Sequence, residues 1–381
     1  MFPQEFIQLL HESVPKADSV LAALGQNASV SIRLNPSKLR ECPFSDASPV
    51  PWSPYGYLLP QRPVFTLDPL LHAGAYYVQD SSAMFAGHVF RQLPLAPGAA
   101  VLDLCAAPGG KTTDLAASLR ERLGGDFTLL SNEVMRSRLG ALSANVESWG
   151  DPRVGVISRD PSSFGSEGVF DVILADVPCS GEGMFRKDPQ ALAEWSPENV
   201  RFCAARSRRI LRDVWPALKP GGYLIYATCT FNHLENDDTV AWIAEELGAA
   251  SLELPDMPPV VKTRLGRALL PGLVPGEGQY VAALRKNGSP SAGSRPGNLF
   301  SLFGARIPAA PVPEDLPRWN LDRSRALHYL HGDALVLEAD APLGMITLCY
   351  RDLPLGTGKN LGKRCNNLYP KAKRIRMDIP Q

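Results

Sequence analysis

Between residues 95 and 286 the chain alternates short apolar runs with stretches of helical period, and that rhythm leaves few folds open. Runs at 99–104, 127–132, 154–158, 169–175 and 222–226 read as buried strands, and 111–122, 136–149, 199–218 and 235–247 read as helices. Consecutive parallel strands need a crossover, usually a helix, so the repetition predicts a doubly wound, Rossmann-like α/β sheet. A further pair at 267–270 and 279–284, around Pro271-Gly272 and Gly276-Glu277-Gly278, reads as an antiparallel closure.

The flanks differ in pattern. Residues 1–94 read as an N-terminal α/β extension. It has an amphipathic helix over 1–25, a strand at 29–34, a proline-rich connection over 42–69, and a helix within 75–92 that Asp80 or a serine caps. The doubly wound sheet is assigned to 95–286, and residues 287–297 have the composition of a linker. Residues 298–381 read as a small, mostly β module with strands at 334–338 and 344–350 and a basic tail.

No stretch approaches the roughly 18 apolar residues of a membrane span. Glu5, His11 and Glu12 interrupt the first segment, so it does not read as a signal peptide, and cytoplasmic residence is expected. The seven cysteines are scattered without a Cys-x-x-Cys pair, which implies neither a disulfide framework nor a metal site. Net charge is zero, yet Arg201, Arg206, Arg208, Arg209 and Arg212 crowd one helix and Lys371, Lys373, Arg374 and Arg376 crowd the tail. Balanced charge with local basic patches is compatible with RNA.

Chemistry-bearing residues fall at the predicted strand ends. Cys105-Ala106-Ala107-Pro108-Gly109-Gly110-Lys111 joins the first strand to its helix with small residues that let a ligand reach the backbone. The spacing matches neither a dinucleotide fingerprint nor a phosphate loop, so a nucleoside without phosphates fits best. Glu133, ending the second strand, suits ribose hydroxyls, and Asp160, beyond the third, suits an adenine amino group. Asp176-Val177-Pro178-Cys179 ends the fourth strand and Thr228-Cys229 ends the fifth. If those strands are neighbours, both thiols face one cleft. An adenosyl cofactor beside two thiols suggests methyl transfer to cytosine C5, where a thiolate adding at C6 makes C5 nucleophilic. Asp176 would then contact the cytosine edge, and the nucleotide must be unstacked.

These motifs, with Asp176-Val177-Pro178-Cys179-Ser180-Gly181-Glu182-Gly183-Met184-Phe185 and Thr228-Cys229-Thr230-Phe231-Asn232, resemble the Nop2/Sun RNA cytosine-C5 methyltransferases. Tyr76-Tyr77-Val78-Gln79-Asp80-Ser81-Ser82 and Pro354-Leu355-Gly356-Thr357-Gly358-Lys359 resemble the bacterial branch that acts on 16S ribosomal RNA and carries a C-terminal PUA-like, RNA-binding module. The resemblance implies that Cys229 is the nucleophile and Cys179 assists release, with Asp176 at the base. It implies that residues Cys105, Ala106, Ala107, Pro108, Gly109, Gly110, Lys111, Glu133, Asp160 and Asp176 hold S-adenosyl-L-methionine, and that the N-terminal extension, 1–94, binds RNA. The implied partner is RNA, 16S rRNA or the small ribosomal subunit, with tRNA, 23S rRNA or a non-catalytic ribosome-assembly role as alternatives. Neither DNA nor a membrane is an expected partner, and a monomer is expected.

Overall fold

The computed structural model describes residues 2–165, 168–289, 297–308, 312–313 and 315–379. The N-terminal part contains helices α1 (Gln4–Ser13) and α2 (Ala17–Leu24), strands β1 (Val30–Leu34), β2 (Ser48–Pro49) and β3 (Gly56–Leu59), a short helix α3 (Pro69–His72), strand β4 (Tyr76–Val78) and helix α4 (Phe85–Gln92). The single helix expected over 1–25 is two helices. Pro15 pushes Val14 into an extended backbone and Lys16 adopts a left-handed one, φ 56°. Residues 76–78, which precede the capped helix, pair with β1 through Ile32 and Val78, as their Tyr-Tyr-Val composition favours. The sheet runs β2-β3-β1-β4.

The middle of the chain supplies β5 (Ala99–Asp103), α5 (Gly110–Leu123), β6 (Phe127–Asn132), α6 (Arg136–Trp149), β7 (Val154–Ile157), β8 (Phe170–Asp176), α7 (Pro189–Glu194), α8 (Pro197–Val214) and β9 (Leu218–Thr228). Then follow α9 (Asp237–Glu246), β10 (Ala249–Ser251), β11 (Val261–Lys262), β12 (Arg267–Leu269) and β13 (Gln279–Lys286). The strand order is β11-β12-β13-β9-β8-β5-β6-β7, with β10 also pairing with β13. Strands β5 to β9 are parallel neighbours and β13 is antiparallel to β9. This is the doubly wound sheet that the alternation predicts.

Side-chain alternation buries both faces. Val101, Leu129, Val172 and Ile225 enter one core with α4 and α5. Leu102, Leu130, Ile173 and Leu224 enter the other with Ile210, Leu211 and Val214 of α8 and Val240 and Ile243 of α9. Helix α8 stops at Val214 rather than at 218, because Pro216 lacks an N–H and the chain tightens into a 3-10 turn. The expected turn at Lys219-Pro220-Gly221-Gly222 lies inside β9, where the register against β8 slips between Phe170 and Val172.

After residue 297 come α10 (Leu299–Phe303), β14 (Arg318–Asn320), α11 (Arg323–His331), β15 (Gly344–Tyr350), β16 (Leu353–Asn360) and β17 (Cys365–Asn367). Most of the linker assigned to 287–297 lies outside the described residues. Helix α10, expected with the C-terminal module, packs on the central sheet: Phe303 meets Phe164 and Phe170, and Arg306 bridges to Val156. The C-terminal sheet runs β14-β15-β16-β17. Residues 334–338, expected as a strand, form no ladder. Leu335 and Leu337 anchor the segment in the core, and Leu335 makes one isolated bridge to Cys365. Among the described residues no helix is long and apolar enough to cross a membrane.

Candidate active site

The chain runs outward from β5 to β7 and then returns to β8, so the strand order reverses between β5 and β8. In open α/β sheets ligands bind beyond the carboxyl ends of the strands at such a reversal. Asp103 ends β5 there, fully buried. Its Oδ2 accepts from Thr112 Oγ1 at 2.6 Å, while Oδ1 is buried without a hydrogen-bond partner. Burial pushes this carboxyl up to about 7, against the opposing bond from Thr112. In the loop that follows, Ala106 and Ala107 are buried, and Arg138 Nη2 donates to Ala107 O while Asn145 Nδ2 donates to Pro108 O. Gly109 has φ +110°, where a side chain would be strained, and a Cβ would sit 3.3 Å from Leu142. Gly110 opens α5. The Cys105 thiol is pushed far above its ordinary range by burial and by Asp103, Asp176 and Glu133, so it lines the site as an unreactive small side chain.

Lys111 reaches from the first turn of α5 to Asp176 at the end of β8, Nζ to Oδ2 2.8 Å. Gln279 completes this group: its Oε1 accepts from Lys111 Nζ at 3.3 Å and its Nε2 donates to Asp176 Oδ1 at 3.3 Å. Burial lowers the Lys111 ammonium, but Asp176, Cys229 and Asp103 outweigh it and hold the group above its ordinary value. Glu133, 3% exposed just beyond β6, accepts from Met135 N at 2.8 Å through Oε1, and its Oε2 is buried without a hydrogen bond, 3.5 Å from Arg138. Two buried carboxylate oxygens that accept no hydrogen bond thus stand at adjacent strand ends. A nucleoside carrying hydroxyl and amino groups would satisfy them, so this set fits such a cofactor. Asp160 is exposed and uses Oδ1 to cap a short turn, accepting from Ser162 N at 3.0 Å and Ser162 Oγ at 2.6 Å. Among the described residues no cluster of histidine, cysteine and carboxylate side chains could hold a metal ion.

Cys179 follows β8 and Cys229 follows β9, and the parallel register pairs Asp176 with Ala227. The two sulfurs stand 3.2 Å apart, so topology does bring the sequence-distant thiols together. The Cys179 thiol is pushed up by its hydrogen bond to Cys229, then by burial and by the nearby Cys229 and Glu235 charges. The Cys229 backbone is pinned on both sides. Its carbonyl accepts from Gly183 N at 2.9 Å, and the Thr228 carbonyl accepts from Gln279 Nε2 at 2.8 Å. A Cβ at Gly183 would approach the Cys229 carbonyl oxygen to 3.0 Å, so glycine is needed there.

Sequence reasoning did not find Asp103, Thr112, Gln279, Glu182 or Glu235 as site residues. Glu235 read as the start of a helix, but α9 begins at Asp237 and the Glu235 side chain is buried against the Cys179 loop. Arg33 was also silent. It is fully buried and donates to Gly110 O, Thr113 Oγ1 and Gln79 Oε1, which ties the N-terminal sheet to the start of α5.

A reversed strand order with a glycine loop, paired strand-end acceptors and two adjoining thiols makes a nucleoside site beside two sulfurs, and comparison with known proteins gives the class, an RNA methyltransferase. The family described as 16S rRNA methyltransferase RsmB/F matches residues 91–285, an RsmF N-terminal domain matches 2–81, and a methyltransferase RsmF PUA domain matches 317–375. The ribosomal RNA small subunit methyltransferase F of Salmonella paratyphi A is 35% identical over 333 residues, covering 79% of this chain and 67% of that protein. A methyltransferase homologue from Pyrococcus horikoshii aligns with TM-score 0.63 and 25% identity over 75% of this chain and 95% of that one. NSun6 from the same organism, solved with SFG, shares the fold at TM-score 0.60 and 17% identity, over 76% and 99%. The chain belongs to the RsmB/F family of 16S rRNA methyltransferases, and spans about two thirds of the Salmonella relative.

Proposed function

We propose that this protein transfers a methyl group from S-adenosyl-L-methionine to C5 of a cytosine in RNA, and that the substrate is 16S rRNA, through a covalent adduct at C6. The observation that carries the reading is the 3.2 Å approach of Cys179 and Cys229 beside the Lys111–Asp176–Gln279 group. The relative's name supports the choice of small-subunit RNA. We also keep as a proposal the division into 1–94, 95–286 and a C-terminal RNA-binding module.

The loop from Cys105 to Lys111, with Asp103 and Glu133, would hold the cofactor, and Asp160 would lie at its rim. When bound, the cofactor supplies an electrophilic methyl group. The Cys229 sulfur adds to C6 as the thiolate, its proton having passed to solvent. The electron pair moves into the ring, where Asp176 meets the cytosine edge and C5 becomes nucleophilic. After methylation the C5 proton must leave, so that the electron pair can reform the ring bond and expel Cys229. Cys179 is suited to take that proton. Once Cys229 is bonded to C6, the hydrogen bond and the charge through which it raises the Cys179 thiol are gone, so Cys179 ionises more readily at that stage.

The test is tritium release from C5-labelled cytosine in a 16S rRNA fragment. The parent protein should release tritium and Cys229→Ala should not. Normal turnover by that variant would overturn the nucleophile assignment.

A further inference from the structure

The loops that carry the two thiols are joined by two buried carboxylates that cross in opposite directions. Glu182, three residues after Cys179, is 1% exposed and reaches into the loop that follows Cys229. It accepts from Phe231 N at 2.6 Å, Asn232 N at 3.1 Å and Asn232 Nδ2 at 2.9 Å, and from Trp195 Nε1 at 3.0 Å. Glu235, six residues after Cys229, reaches the other way. It accepts from Ser180 N at 2.9 Å, from Ser180 Oγ, and from Asn232 Nδ2 at 2.9 Å. Asn232 sits between them, and its Oδ1 accepts from Glu235 N at 2.9 Å. Ser180 Oγ and Thr230 Oγ1, each adjacent to one of the cysteines, lie 3.0 Å apart.

Two carboxylates in one buried network are a costly way to join two loops, since well-packed apolar side chains do so without desolvating charge. Burial raises the Glu235 carboxyl to about 7 even with Ser180 and Asn232 donating to it, and Glu182 adds to the rise. What the carboxylates provide is directional, multi-point fixation of backbone N–H groups on either side of each cysteine. The proposed chemistry requires that fixation, because one sulfur must attack the ring while the other stays within reach of its proton. A misplacement of about 1 Å can cost about a hundredfold in rate.

We propose that Glu182 and Glu235 are positioning residues, a reciprocal clasp that sets the separation of Cys179 and Cys229 and so couples attack on the ring to release of the product. The inference rests on the two-thiol reading above, and its test separates the two.

The full-length protein, without RNA, is titrated with phenylarsine oxide. This reagent bridges neighbouring thiols by forming two arsenic–sulfur bonds and releasing its oxygen as water with both thiol protons. The parent should capture one equivalent at Cys179 and Cys229, and Cys179→Ala should not. Glu182→Ala and Glu235→Ala should each weaken capture about tenfold or more and lower kcat about a hundredfold, while KM for RNA and the S-adenosylhomocysteine affinity change less than about threefold. Conservative variants should differ. Glu235→Gln restores capture in part, because the Ser180 hydroxyl can turn from donor to acceptor although the new amide nitrogen still faces Ser180 N or Asn232 Nδ2, whereas Glu182→Gln does not, since every partner of Glu182 is an N–H donor. Variants that bind the cofactor product normally yet keep parental capture and kcat overturn the clasp. If the alanine variants fail to fold, Ser180→Ala, which removes one clasp hydroxyl, is measured in the same way, and unchanged capture and kcat in it overturn the clasp equally. Clasp-dependent capture in a parent that never methylates RNA sinks the proposed function instead.

Discussion

Replacing Arg33 with leucine tests whether the N-terminal sheet shapes the cofactor site. The guanidinium is fully buried and donates to Gln79 Oε1 at 2.7 Å, Thr113 Oγ1 at 2.5 Å and Gly110 O at 3.1 Å. It also lies 3.9 Å from Asp114 Oδ2 and 4.7 Å above the centre of the Trp149 ring. Three bonds to a charged donor at about 1.5 kcal/mol each give roughly 4–5 kcal/mol, matching the roughly 3–5 kcal/mol lost when one partner of a buried pair is removed. Arg91, 3.0 Å from Asp114 Oδ1, keeps that carboxylate paired and places the expected loss at the lower end, about 3 kcal/mol. Because Gly110 and Thr113 form the first turn of α5, the variant should also bind S-adenosylhomocysteine about tenfold or more weakly. Urea unfolding followed by circular dichroism measures the first quantity and isothermal titration calorimetry the second. Arg33→Lys should not rescue, since an ammonium cannot reproduce the fork. Arg33→Leu with parental stability and cofactor affinity would refute the reasoning.

Asp103 titrates near 7 in the folded chain against an ordinary value of 3.8, so between those values the folded state holds a proton that the unfolded state has released. Stability should therefore fall as pH rises through this window, by about 4 kcal/mol at most, and Asp103→Asn should flatten that dependence in urea titrations across it. Glu133→Gln should weaken S-adenosylhomocysteine binding about tenfold to a hundredfold by calorimetry, the effect of removing a charged acceptor. Lys371 and Arg376 are exposed on the tail. Neutralising both should lower affinity for an rRNA fragment and reduce the slope of log affinity against log salt by about 1.4, or 0.7 for each phosphate contact, in anisotropy titrations.

The doubly wound sheet was legible because its strands are local apolar runs separated by amphipathic helices, and parallel order follows from that alternation. The convergence of Cys179 and Cys229 was legible for the same reason: each ends a strand, and the fourth and fifth strands are neighbours. What escaped depends on distant partners. Glu235 precedes a helix and carries the local signature of a helix start, and only the fold buries it against Ser180. Arg33 looks like any arginine on a short strand until α5 closes over it. Strand β16, Leu-Pro-Leu-Gly-Thr-Gly-Lys-Asn, has poor intrinsic strand propensity and exists because β15 and β17 pair with it on either side. Asp160 shows the opposite limit. A carboxylate at a strand end fits both a ligand contact and a cap, and here its Oδ1 is engaged as a cap.

The division of labour between the thiols is most directly tested by incubating Cys179→Ala with S-adenosyl-L-methionine and a 16S rRNA fragment, then separating the products on a denaturing gel. The account predicts a covalent protein–RNA band, absent from Cys179→Ala/Cys229→Ala, that peptide mass spectrometry maps to Cys229. Loss of turnover with no adduct, or an adduct mapped to another residue, would contradict it.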